Sequence, residues 1–218
     1  MHNRQILAMG YALTGIAGWV DAQGFLALQG VFVSFMSGNT TLLGLAVTPG
    51  NASQAGQIAL VIVLFLGGGF AGAFVSGLAG RWAMPAVLAS VAAVLAVAIA
   101  LSATGSTLAG AVILALAMGI QNAAAGAVGP VKSGATYVTG TLVSAGQELG
   151  RIAGGGGSGR IFAEHMSLWL ALLVGVAAGA VAHTQAGLWS LLGPAAAATA
   201  LAACTAAPLL RSFNTEGS

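Results

Sequence analysis

GWVDAQGFLALQGVFVSFMSGNTTLLG, Gly18 to Gly44, decides the fold. An apolar run carrying one acid, Asp21, gives way at Gly30 to a short β-branched and aromatic stretch. That stretch then meets a Ser-Gly-Asn group of the kind that caps a short helix. GVFVSFMSGNTTLLGLAV, Gly30 to Val47, therefore reads as a short strand followed by a half-helix. A second segment of the same kind, GATYVTGTLVSAGQELG, occupies Gly134 to Gly150.

The surroundings of these segments are unlike those of a water-soluble domain. Hydrophobic residues make up 58% of the chain and charged residues 5%, with a mean hydropathy of +0.96. Soluble domains carry about a quarter charged residues, so a chain this apolar needs lipid as its solvent. In hydrocarbon every backbone N–H and C=O must find a partner within the protein, which leaves helices or a closed barrel. The long Ala, Leu and Val runs do not alternate with period two, and they choose helices.

Six runs are long enough to cross a bilayer, which takes about 20 residues. They lie near Gln5 to Leu28, Ala55 to Gly80, Met84 to Ala103, Thr107 to Ala127, Phe162 to His183 and Leu188 to Pro208. The two unusual segments either cross the membrane as well or dip in and return. The basic residues discriminate between these cases. If both segments re-enter, Arg4, Arg81, Lys132, Arg151, Arg160 and Arg211 all fall on one side, and the positive-inside rule then makes that side, with both termini, cytoplasmic.

The halves of the chain resemble each other. GWVDA, Gly18 to Ala22, lines up with GIQNA, Gly119 to Ala123, and MSGNT, Met36 to Thr40, with VTGTL, Val138 to Leu142. A small-residue ridge, Gly68, Gly72, Ser76 and Gly80, lines up with Ala171, Gly175, Gly179 and His183. Three crossings and one re-entrant segment per half make an odd number, so the second half enters from the opposite face. The expected fold is an all-α polytopic membrane protein: six transmembrane helices and two strand/half-helix re-entrant segments in an inverted repeat. A single membrane domain covers 1–218, with repeat one over about 1–105, repeat two over about 106–211 and a polar tail at 212–218.

Inverted repeats recur in transporters, with the site at the midplane where broken helices meet. Irregular backbone at membrane depth is tolerated only where protein covers it or where it lines a watered cavity. The half-helices begin near Ser37, Gly38, Asn39, Thr40 and Thr41, and near Thr139, Gly140 and Thr141. Each N-terminus carries about half a positive charge, and two facing ends favour an anion or a polar solute with acceptor oxygens. These groups also admit a plainer reading, as caps of short helices.

Asp21 is the one acid of the first run, and an intramembrane carboxylate is a functional candidate by default. Its alternative role is to bond nearby backbone and fix a helix break before Gly24. Asn122 aligns with it and Gln121 flanks Asn122, so a carboxylate in one half faces a neutral amide in the other, a basis for proton coupling through Asp21. Glu148 is expected to pair with Arg151, and Lys132 to act as a topology residue. His165 and His183 are expected at interfaces, Cys204 in the core, and GGGGSG, Gly154 to Gly159, as a flexible cytoplasmic loop.

Other functions find little footing. Ten charged side chains make no basic face for nucleic acid. One cysteine allows neither a disulfide framework nor a zinc pair, and no metal or cofactor is expected. HExxH, paired carboxylates and the GxSxG elbow are missing, so no enzyme activity is expected.

The string from Gly18 to Gly44, with GIQNAAAGAVGPVKSGATYVTGTLVSAGQELG from Gly119 to Gly150, resembles the YoaK-like family of bacterial inner-membrane proteins. The resemblance covers nearly the whole chain. It implies a bacterial, six-helix plasma-membrane protein of unassigned activity, with Asp21, Ser37, Gly38, Asn39, Thr40, Gln121, Asn122, Thr139, Gly140 and Thr141 at shared motif positions. A weaker likeness links the strand and half-helix pairs to sulfate-permease-type transporters. Those have longer repeats, and a homodimer would supply the missing scaffold. The function expected is a transporter or channel for a small polar or anionic solute. The alternative is a non-transporting structural or assembly protein whose polar motifs lock the fold.

Overall fold

The computed structural model describes residues 3–48, 51–126 and 138–216. Among these the chain forms α1 (Asn3–Ala27), α2 (Met36–Leu45), α3 (Ala52–Ala79), α4 (Ala83–Ala103), α5 (Thr107–Val112), α6 (Leu114–Gly126), α7 (Val138–Ala153), α8 (Gly159–Ala186) and α9 (Leu192–Glu216). Short 3-10 turns, Gly80–Trp82 and Gly187–Leu191, join α3 to α4 and α8 to α9. Each opens on a glycine at φ 54°, a left-handed conformation that a Cβ would penalise.

Two stretches, Ala52–Ala103 and Gly159–Pro208, are apolar enough and long enough to cross a bilayer, with mean hydropathies of 2.5 and 1.8. Their outward faces confirm the solvent that composition demands. On α3, Leu60, Val63, Leu66, Phe70, Phe74 and Leu78 all point outward, and Leu66 and Phe70 are each 72% exposed. A continuous apolar face of this kind is untenable in water and ordinary in lipid.

The interior forms around α4, whose Val87, Leu88, Val91, Leu95 and Ala98 are fully buried, packed against α9, α6 and α5. On either side of this centre stand two close helix pairs, α1 with α8 and α3 with α6. Glycine makes both possible, since a Cβ at Gly68 would strike the Leu116 carbonyl and one at Gly175 the Gly15 carbonyl. The next turn repeats the pattern, with Gly72 against the Ile120 carbonyl and Gly179 against the Trp19 carbonyl.

The close approaches fall at Gly68 and Gly72 on α3 and at Gly175 and Gly179 on α8, and the left-handed glycines at Gly80 and Gly187. The spacing of these three positions is the same in both stretches, one helical turn along from the expected alignment with Ala171, Gly175 and His183.

Three further expectations change. There is no strand among the described residues: Val31 to Phe35 is irregular, because it has no neighbouring strand to pair with and bonds to side chains instead. The first segment's helix is α2, whereas α7 runs on to Ala153, past the expected end at Gly150. Cys204 is exposed on the outward side of α9, not in the core. Ala127, Lys132 and the expected second strand, 134–137, lie outside the described residues.

Candidate functional site

Phe32, Val33 and Ser34 present three successive backbone N–H groups in a segment with no regular structure, and buried donors of this kind must be satisfied. Two of the polar residues singled out from sequence do this. Asp21 Oδ1 accepts the N–H groups of Val33 and Ser34, each at 2.9 Å, and its carboxylate also bonds the Ser34 hydroxyl. Asn39 Oδ1 accepts the Phe32 N–H at 3.0 Å, while Asn39 Nδ2 donates to the Phe32 carbonyl at 2.6 Å. Asp21 thus fixes a break, but one twelve residues on from itself and not the expected one before Gly24.

The residues around Asn39 divide by the face of α2 they occupy. Ser37 stands at the helix start beside the cavities described below, and Gly38 packs beneath the Phe35 and Phe32 rings, where a Cβ would collide. Thr40 and Thr41 are exposed and donate back to the Met36 and Ser37 carbonyls at 2.8 and 3.2 Å. They face away from the site. In the second half, Gln121 is buried and donates to the Leu13 carbonyl at 2.7 Å, tying α6 to α1. Thr141 is buried on the inner face of α7, and Asn122 Nδ2 donates to the Met118 carbonyl at 2.8 Å.

Two cavities meet at the junction of the halves. One, of about 440 Å³, is lined by Asp21, Phe25, Phe32, Leu172 and Val176 among others. The other, of about 360 Å³, is lined by Met36, Ser37, Phe65, Asn122 and Gly140. Ser34, Phe35 and Thr139 line both. The starts of α2 and α7 therefore stand together, with Asp21 on one side of the shared wall and its sequence counterpart Asn122 on the other. Of the residues expected at a site, Asp21, Ser37, Asn122, Thr139 and Gly140 line cavities. Gly38 and Asn39 pack against or bond the lining residues Phe32 and Phe35, and Gln121 and Thr141 are buried without lining either cavity.

Sequence reading missed Gln23 and the aromatic wall. Gln23 is fully buried, donates to the Gly179 carbonyl at 2.7 Å and meets His183 Nδ1 through Oε1, also at 2.7 Å. His183, expected at an interface, is thus held to α1. A glutamine two residues beyond Asp21 in an apolar run was the available signal. Phe25, Phe32 and Phe35 form a run of rings, with centroids 4.8 Å apart for the first pair and 5.3 Å for the second.

Away from the cavities, Glu148 on α7 pairs with Arg151 as expected, and Arg151 Nε donates to it at 2.7 Å. The same carboxylate accepts the Ser158 N–H at 2.6 Å, closing the glycine loop. That backbone bond and then Arg151 hold the Glu148 carboxyl below its ordinary value of 4.5.

Residues 9–204 match the family model described as Protein of unknown function (DUF1275), and the chain belongs to this family. It is 38% identical over 197 residues to UPF0700 transmembrane protein RA0705 of Rhizobium meliloti (strain 1021), an overlap covering 90% of this chain and 84% of the relative. No solved structure matches. With the lipid-facing exterior, this relationship makes the chain a helical membrane protein.

Proposed function

We propose that this DUF1275 protein is a transporter or channel for a small solute, with its site where the starts of α2 and α7 meet. The observation that carries the reading is the pair of cavities sharing Ser34, Phe35 and Thr139, with Asp21 lining one and Asn122 the other. Adjacent cavities that share lining residues beside the irregular segment before α2 suit access from alternate sides.

An inverted repeat is part of this proposal. The swapped helix pairs, α1 with α8 and α6 with α3, and the matched glycine contacts support it. Six crossings would be α1, α3, α4, α5 continued by α6, α8 and α9. At 1.5 Å per residue the ten-residue α2 is about 15 Å long, half the hydrocarbon thickness, which suits re-entry better than crossing. Both termini would then be cytoplasmic, in a bacterial plasma membrane. No enzymatic step, metal or cofactor is assigned, and a homodimer would seal the exposed α3 face. Proton coupling through Asp21 rests on its place in the cavity wall.

The competing reading, a protein whose polar groups only lock the fold, draws on Asp21, Asn39 and Gln121 all bonding backbone. Osmotic recovery of proteoliposomes separates the two. Vesicles are shrunk in small organic cations, anions or polyols and their re-swelling is followed by light scattering. The transport reading expects faster recovery than in protein-free vesicles for at least one class of solute. Recovery no faster in any of them leaves the locking role.

A further inference from the structure

The larger cavity combines the Asp21 carboxylate and three aromatic rings with a wall that is mostly aliphatic apart from Ser34 and Thr139, and among the described residues no basic side chain lines it. From this we infer that it binds an organic cation, an ammonium group carrying aryl or alkyl substituents, with Asp21 as counter-charge and Phe25, Phe32 and Phe35 as the aromatic wall. This rests on the cavity reading above and names its solute class, in place of the anion suggested by two facing helix N-termini.

The arrangement is built, not incidental. Asp21 and Phe25 lie one turn apart on α1, so both side chains fall on the same face. Phe32 belongs to the segment that Asp21 and Asn39 hold by its backbone and Phe35 follows it, and the three rings stand in sequence at 4.8 and 5.3 Å. The α1 helix sets Asp21 and Phe25, and these hydrogen bonds set the segment that carries Phe32, before any solute arrives. Arg151 pairs with Glu148 and Arg160 with Glu164, away from Asp21. An acid within an apolar wall attracts a cation, and a cation whose substituents are apolar loses least on leaving water. Aromatic rings add attraction for positive charge that they do not offer to an anion.

Purified protein in detergent is titrated with benzyltrimethylammonium and, separately, with phenylmethanesulfonate, its unfolding midpoint serving as the readout. The inference expects the cation to raise the midpoint and the anion not to. Asp21→Asn keeps an oxygen for the Val33 and Ser34 N–H groups, and should weaken the cation at least about tenfold. Phe25→Leu, which leaves the backbone clamps intact, should weaken it by roughly three- to tenfold, and Phe25→Trp should restore it. An equal or larger shift with the anion overturns the inference, as does cation affinity unchanged in a folded Asp21→Asn protein. If Asp21→Asn does not fold, the Phe25 pair decides, and equal affinity in both overturns it. Cation binding without faster vesicle recovery would keep this inference and remove the transport reading; recovery in anions alone would do the reverse.

Discussion

Asn39 holds Phe32 by both ends of its amide, donating to the Phe32 carbonyl and accepting from the Phe32 N–H, and it is fully buried in doing so. The residue expected to meet a solute is thus a brace for the wall that would meet it. Asn39→Ala should strand both backbone groups and lower stability by about 2 to 4 kcal/mol. Asn39→Asp should also destabilise, because it places a second acceptor against the Phe32 carbonyl. Unfolding midpoints in detergent check this, and unchanged midpoints would show that the clamp contributes nothing.

The glycine contacts give a paired test. Gly68→Ala and Gly175→Ala each drive a Cβ into a facing backbone carbonyl, whereas Gly67 has open space around its Cβ position on the same helix as Gly68. The first two should each cost about 1 to 3 kcal/mol through forced helix separation. Gly67→Ala should be neutral or slightly stabilising, since alanine favours the helix. Thermal aggregation of the three variants reads the difference. Equal behaviour of Gly67→Ala and Gly68→Ala would contradict the close approach of α3 to α6.

Much of this architecture was legible in the sequence because lipid imposes it. Apolar runs of sufficient length had to be helices, and the runs from Ala55 to Gly80 and Met84 to Ala103 fall within α3 and α4 to within a few residues. The polar residues were legible as needing partners, since Asp21, Asn39 and Asn122 are costly in lipid without them. Which partners they take was not legible. Asp21 bonds Val33 and Ser34 across a turn whose path no local pattern fixes, and Gln23 reaches α8 only through packing of distant segments. The strand expected at Gly30 failed for a related reason, because β-branched residues favour a strand only where another strand can pair with it.

Glu148 makes the glycine loop sensitive to acid. Its carboxyl lies below its ordinary value when folded, so the contribution to loop closure is complete above pH 4.5 and is lost as pH falls through the lowered value. Hydrogen exchange at the Ser158 amide, corrected for its intrinsic pH dependence, should accelerate in that acid range. In Glu148→Gln the exchange should be fast at all pH values and show no such transition. Protection unaffected by the substitution would remove Glu148 as the loop's anchor.

Phe35 belongs to both cavities, and its ring packs against Phe32 and Gly38. Phe35→Ala should open the wall between them and raise solute permeation severalfold, with loss of selectivity among the solutes that pass. Proteoliposome recovery rates check it, and a rate at or below wild type in a folded variant would mean that Phe35 is not the partition.

The meeting of the two chain breaks is tested most directly by joining them. Ser37→Cys and Gly140→Cys, on a Cys204→Ser background, place thiols on residues that line one cavity. Solute permeation is measured in proteoliposomes before and after a short thiol cross-linker and again after reduction. The account predicts an intramolecular cross-link that stops permeation and a return of permeation when it is reduced. Failure of the link to form, or permeation that continues at full rate through the linked protein, would contradict it.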